Sequence, residues 1–269
     1  AVIIGHIPPG LWSGCWGEYS EQYERVVSEF EPVIAAQLYG HDHSGSFRLF
    51  YTGAGDADDD GKKQRPSSVA YATPSLTPYK NQLPSFRVYD LDLDQDRSQD
   101  SASDGEAELP ASSGVVQFKQ YYLDLSKYGG SQKAKEAKEE ADGPITWFLS
   151  FTAPQSLGLP DLAPRSWRFV ADKLVSNATI RDDFVKLGAN GRAMMGSEGS
   201  LRTFACGVRH VSSARLFKCS RQNEEQFIRD YTGIQHTYVL TTLFSFDVIF
   251  DQFCSSMAGF LPEDCANIL

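Results

Sequence analysis

The sequence predicts an α/β fold that gives way to a helical C-terminal part, on three observations. Two short apolar runs rich in β-branched residues, Ala1-Val2-Ile3-Ile4 and Val33-Ile34-Ala35-Ala36-Gln37-Leu38-Tyr39, are too brief for helices and read as buried strands of parallel type. Between them, residues 18–31 place Tyr19, Tyr23, Val26, Val27 and Phe30 at helical spacing with charges interleaved, the pattern of an amphipathic helix packed on a sheet. From Pro144 onward the pattern turns helical, with one helix centred on Trp167 to Val175.

The remaining elements follow in chain order. Ser46 to Tyr51 alternates as a strand, and Ser68 to Thr73 and Phe86 to Leu93 read as two more. The Gly53 to Gly61 loop contains Asp-x-Asp-x-Asp-Gly, the opening of an EF-hand calcium loop. Its twelfth position is Ser67 rather than Glu, Lys63 takes the apolar eighth position and Pro66 intervenes, so a solvated hairpin loop is the better reading. Asp90 to Ser113 is rich in Asp, Ser, Gln and Glu, which predicts a mobile acidic insertion over about residues 93–114. Val115 to Leu125 alternates as an edge strand that finishes the sheet. Ser131 to Ala141 has helix propensity but no apolar face, and reads as a solvated helix or tail. These shifts divide the chain into an α/β part, 1–129, and a helical, cysteine-containing part, 130–269. Tyr238 to Leu261 is the most apolar stretch, but Asp247 and Asp251 interrupt it. It reads as a buried helix, not a membrane span.

Composition sets outer limits. With 269 residues and 41% hydrophobic residues the chain can bury a substantial core. A net charge of −10 argues against nucleic acid as a partner, because its phosphates require a basic face. The chain begins inside a strand and without Met, which reads as a fragment, a truncated gene model or a processed product.

The chemistry concentrates in Gly5-His6-Ile7-Pro8-Pro9-Gly10 and Gly40-His41-Asp42-His43, which hold three of the five histidines. Each motif follows a predicted strand at its C-terminal end, where open α/β sheets place ligands. In an extended backbone His41 and His43 point to the same side. Neutral imidazole is the commonest metal ligand, so the three together suggest a metal site. His210 and His236 lie in the helical part and read as structural or surface residues.

These motifs, with Trp16, Tyr19 and Tyr23 between them, with Ala35 to Tyr39, and with Phe47, Phe50 and Tyr51 after them, resemble the downstream half of an acid sphingomyelinase-like phosphodiesterase of the calcineurin-like metallophosphoesterases. The likeness runs on through Pro74-Ser75-Leu76-Thr77-Pro78-Tyr79 and Phe86-Arg87-Val88-Tyr89. It implies half of an αββα sandwich followed by a helical domain, and a hydrolase with two zinc ions. His6 and His41 would bind one ion and His43 the other. Tyr79 would lie near the substrate, and the loop bearing Trp12 and Trp16 would border the mouth of the site; from the residues alone Tyr79 is a turn aromatic, and Trp12 and Trp16 read equally well as loop aromatics capping the core. Asp42 stands where that family usually has Thr, and Gly45 where an acidic residue is common. The implied substrate is sphingomyelin, cleaved to ceramide and phosphocholine by a metal-held hydroxide with in-line attack. Relatives of that kind also cleave nucleotide phosphates.

Such a site needs roughly six to eight protein ligands including a bridging carboxylate. No Asp-x-His or Gly-Asn-His is present, so the expectation is that the missing ligands and the proton donor lie upstream and that this chain alone does not turn over substrate. A truncated, non-catalytic binding chain is the alternative of a different class. The resemblance further implies a monomer, peripheral contact with a membrane surface, and a secreted or lysosomal location. The Asn177-Ala178-Thr179 glycosylation sequon fits that location. So does the even number of cysteines in the helical part, Cys206, Cys219, Cys254 and Cys265. Three pairings are possible; Cys206 with Cys219 and Cys254 with Cys265 are favoured because each closes a short loop. In the family the partner of Cys15 lies upstream.

Overall fold

The computed structural model describes residues 1–52, 65–78, 82–93, 114–127, 145–190 and 198–221. The acidic 53–61 loop, Tyr79, residues 94–113, the 131–141 stretch, His236, Cys254, Cys265 and the 238–261 tail lie outside them. Residues 1–222 form one compact unit and 223–269 another.

Among the described residues, seven strands make two sheets. The first holds β1 (Val2–Ile4), β2 (Ala36–Tyr39), β3 (Ser46–Tyr51) and β4 (Pro66–Ala72) in the order β1-β2-β4-β3. β1 with β2 and β2 with β4 run parallel, and β3 with β4 antiparallel. The second is an antiparallel meander of β5 (Ser85–Leu91), β6 (Val115–Tyr122) and β7 (Phe148–Ala153). Helix α1 (Gly17–Glu29) joins β1 to β2, and α2 (Pro164–Ser176), α3 (Ala178–Gly188), α4 (Glu198–Arg209) and α5 (Ser213–Ser220) follow β7.

Strand β3 shows why the first sheet is a two-faced layer. Phe47, Leu49 and Tyr51 join a core with Tyr71, Phe118, Phe151, Trp167 and Phe204, drawn from both sheets, α2 and α4. Phe50 turns the other way, into a second cluster with Val27 of α1, Tyr39, Ala70 and Val211. A strand covered on both faces buries every residue, so β3 has no solvent side. Trp167 sits at the centre, 2% exposed, its indole N–H donating to the Tyr71 hydroxyl at 3.0 Å. Burying its ring contributes a few kcal/mol, at about 25 cal/mol per Å².

The mixed α/β character stands, and several details differ from expectation. Val115 onward is not an edge strand completing the first sheet: β6 is the central strand of a separate sheet, flanked by β5 and β7. β7, α2 and α4 share their core with β3, β4 and β6. β1 lies at the rim of its sheet, with Ile4 80% exposed, and is not a buried strand. On α1 the expected apolar stripe faces inward only in part: Val27 is buried and Tyr23 packs against the same cluster. Tyr19, Val26 and Phe30 are exposed, while Ser20, Glu24 and Val27 are buried. The polar pair is tolerated because each has a partner: Ser20 Oγ accepts from Gly10 N–H at 2.9 Å, and Glu24 meets Arg215 of α5 at 3.3 Å. Desolvation raises the Glu24 carboxyl above its ordinary range, against the opposing Arg215 charge. Among the described residues no helix is long and apolar enough to cross a membrane.

Candidate functional site

The parallel register Val2↔Ala36, Ile3↔Gln37, Ile4↔Leu38 brings the exits of β1 and β2 to one end of the sheet. Pairing continues past the strands, with Gly5 N–H donating to Leu38 O and Gly40 N–H to His6 O, both at 3.0 Å. That ladder sets the two histidines side by side. His6 Nε2 and His41 Nδ1 are 3.4 Å apart, and the rings meet edge to face at 84° with centroids 5.2 Å apart. Both side chains are exposed and can reach a ligand from solvent. Gly5 is required by packing, since a Cβ there would stand 2.6 Å from Cε1 of Tyr39.

His41 and His43 are not extended: both take left-handed backbone, φ 68° and 62°, and Asp42 N–H donates back to Gly40 O at 2.8 Å. The chain turns sharply here, so the alternation expected of a strand does not apply, and the ring of His43 is not carried beside that of His41 by periodicity. The His43 carbonyl accepts from Ser75 N–H at 3.2 Å, fixing the turn to the segment that leaves β4.

A side chain that sequence reasoning passed over anchors this turn. Arg48 of β3, a strand read as alternating, is fully buried. Its Nη2 donates to Asp42 Oδ2 at 2.7 Å and to Ser13 Oγ at 2.6 Å, and its Nη1 to Phe47 O at 2.7 Å and Ser46 Oγ at 3.3 Å. The one available signal was a cation between apolar neighbours, Phe47 and Leu49, in a strand with no polar face. Gly45, where the resemblance leads one to expect an acidic residue, lies close against the Arg87 and Gln120 side chains. A Cβ there would fall 2.0 Å from Arg87 Nη2, and its N–H donates to Gly188 O at 3.0 Å. Trp12 packs edge to face on Phe204 and thus caps the core, whereas Trp16 is exposed.

A chain of polar side chains runs from Tyr39 of β2 to Ser68 of β4. Tyr39 donates to Tyr23, Tyr23 to Gln37, and Gln37 to Ser68, each at 2.8 Å. Burial raises both phenols above their ordinary range, so they act as neutral hydrogen-bonding groups.

The spacing of the imidazole pair fits two ligands of one metal ion. Two nitrogens held by one zinc ion at about 2.0–2.1 Å in tetrahedral array lie roughly 3.4 Å apart, the separation found between His6 and His41. As a hydrogen bond the same contact is long. Among the described residues, however, no group of three or more His, Cys, Asp or Glu is placed to hold an ion. Of the other predicted site residues, Cys206 and Cys219 form a disulfide that ties α4 to α5, and Cys15 is a free thiol. Asn177 is exposed and caps α3, its Oδ1 accepting from Ile180 N–H at 3.1 Å.

No protein-family model matches the chain. Comparison with curated proteins identifies its class: the chain is a homologue of the sphingomyelin phosphodiesterases and the acid sphingomyelinase-like phosphodiesterases. Sphingomyelin phosphodiesterase 1 of Caenorhabditis elegans is 34% identical over 182 residues, 68% of this chain and 26% of that protein. The bovine sphingomyelin phosphodiesterase is 33% identical over 182 residues, 68% of this chain and 24% of its own length. Human acid sphingomyelinase-like phosphodiesterase 3b is 26% identical over 229 residues, 79% of this chain and 41% of its own. The chain thus spans about a quarter of the length of these two sphingomyelin phosphodiesterases.

Proposed function

We propose that this chain carries part of the metal centre of a phosphodiester hydrolase of the sphingomyelin phosphodiesterase kind, one that cleaves sphingomyelin to ceramide and phosphocholine with two zinc ions. The observation that carries the reading is the convergence of His6 Nε2 and His41 Nδ1 at 3.4 Å from the ends of two parallel strands. In this reading His6 and His41 serve one ion and His43 a second, and none of the three acts as acid or base. Zinc, when bound, polarises phosphoryl oxygens and offsets the charge that develops during in-line displacement. The chain's own part is to hold the imidazoles side by side on the strand exits, and to keep the Gly40 to Ser44 turn in place. Tyr79 follows the Pro74 to Thr77 segment, whose Ser75 is already bonded to the His43 carbonyl, and would lie near the substrate.

The Cys206–Cys219 bridge supports an oxidising compartment, secreted or lysosomal. There, Asn177 would carry a glycan, the cap of α3 engaging only its carbonyl oxygen. The chain would act as a monomer, touching a lipid surface peripherally. A second reading, a non-catalytic metal- or lipid-binding chain, is favoured by one observation: two imidazoles meet, and no third ligand among the described residues joins them.

Calorimetric titration of the metal-free chain with zinc tests the site, alongside His6→Ala and His41→Ala. The site reading expects zinc binding that either substitution abolishes; undiminished binding in both variants refutes it. Phosphocholine release from sphingomyelin, compared with hydrolysis of a nucleotide phosphodiester, separates the two substrates. Zinc binding without turnover of either is expected on both readings, since the chain carries only part of the centre; turnover of either substrate excludes the non-catalytic one.

A further inference from the structure

We propose that Asp42 and Arg48 are positioning residues for the imidazole pair, a buried clamp that sets where His41 stands relative to His6; the inference rests on the metal-site reading above. Asp42 lies between the two histidines of the turn, and its carboxylate is held from beneath. Its Oδ2 accepts from Arg48 Nη2 at 2.7 Å and from Ser46 Oγ at 3.1 Å, with side-chain exposures of 8% for Asp42 and 0% for Arg48. The same Nη2 reaches Ser13 Oγ at 2.6 Å, in the 3-10 turn Leu11–Ser13 that follows the His6-Ile7-Pro8-Pro9-Gly10 segment. One guanidinium therefore grips both loops, the one leaving β1 and the one leaving β2, that carry the two imidazoles.

The turn needs such a grip. His41 and His43 occupy left-handed backbone that L-residues with large side chains rarely adopt, and this conformation persists only where surrounding contacts over-determine it. The Gly40–His6 and Ser75–His43 backbone bonds flank the turn on either side, and the Asp42–Arg48 bond supplies its centre. Arg suits the task because its planar fork serves several acceptors at once in fixed directions, which a Lys ammonium does not. A buried ion pair is often neutral for stability when exchanged whole for apolar residues, so its use here is geometric.

The test uses the full chain and three variants: Asp42→Asn, Arg48→Lys, and the double variant Asp42→Ala with Arg48→Met. Three quantities are read: the thermal midpoint, the zinc dissociation constant, and the ¹⁵N shifts of the His6 and His41 rings in metal-free protein. In the double variant, which leaves no unpaired buried charge, the midpoint returns toward that of the parent. Zinc binding stays about 10- to 100-fold weaker, the usual effect of removing a group that orients a ligand, and the His41 ring shifts differ from the parent. Arg48→Lys gives an intermediate loss. A pair that only stabilises the fold would return affinity and ring shifts together with the midpoint, and that result overturns the proposal. Should the double variant not recover its midpoint, the near-isosteric Asp42→Asn, read below its own midpoint, decides: parent-like ring shifts and affinity overturn the clamp. If the parent chain binds no zinc, the metal reading fails. The metal-free ring shifts then judge the clamp alone, and parent-like shifts in folded Asp42→Asn refute it.

Discussion

His210 makes the stability of the fold depend on acid in a defined window. It follows the last residue of α4, where the helix dipole would favour a cation. Desolvation acts the other way and is the largest influence. The charges of Arg209, Arg215 and Arg168 add to it, and together they lower the imidazole from 6.5 to about 3. The ring instead stacks on Tyr51, centroids 6.1 Å apart. Because the folded value lies below the unfolded one, the unfolded chain binds the extra proton between about pH 6.5 and 3. Stability from this residue is therefore complete above pH 6.5 and is lost as the pH falls through that window. Full conversion of the shift gives a ceiling of roughly 5 kcal/mol. The ring is only partly buried, so about 2 kcal/mol between pH 7 and 4 is the working figure after solvent screening. Urea unfolding of the parent chain and of His210→Phe, at half-unit steps over that range, measures it. The parent should lose about 2 kcal/mol more than the variant. Parallel stability curves for the two would falsify the reasoning.

Other perturbations read the packing directly. Gly5→Ala drives a methyl to 2.6 Å from the Tyr39 ring. It should cost about 1–3 kcal/mol and, by displacing the β1 exit, weaken zinc binding by calorimetry. Gly188→Ala places its Cβ 2.4 Å from the Gly45 carbonyl oxygen, which is backbone and cannot rotate away. A loss of about 3 kcal/mol is expected in thermal unfolding. Replacing Cys206 and Cys219 together with Ser opens a bridge of sequence separation 13. That should lower stability by about 3 kcal/mol, checked by comparing midpoints with and without reductant. Asn177→Ala should remove the α3 cap at a cost of about 1 kcal/mol, whereas Asn177→Asp keeps the cap while destroying the sequon. A mass shift on expression in a secretory host that vanishes in both variants would establish glycosylation apart from capping.

Much of the candidate site was legible because its signals are local. Gly5-His6 and Gly40-His41 each follow a β-branched run, and two parallel strands joined by one helix must bring their C-terminal ends together. The pairing of Cys206 with Cys219 was also within reach, the spacing closing a short loop between adjacent helices. Arg48 was not legible. Its burial depends on α1, the Leu11–Ser13 turn and Asp42 closing over one face of β3 while α2 and α4 cover the other, and no window around residue 48 contains those partners. The inward Ser20 and Glu24 of α1 were hidden for the same reason, since Glu24 depends on Arg215, distant in sequence. The second sheet was missed because alternation marks a strand without saying which sheet it joins.

By itself, then, the sequence determined that strands and helices would form, where the histidines would emerge, and that the chain is kin to sphingomyelin phosphodiesterases. Those properties rest on periodicity and on short motifs, which a few neighbouring residues encode completely. Tertiary structure alone decided that His6 and His41 face each other at 3.4 Å, that Asp42 is bound to a buried Arg48, and that β6 lies at the centre of its own sheet. Distance, burial and register arise only when segments remote in the chain exclude water between them, and no stretch of sequence carries that information alone.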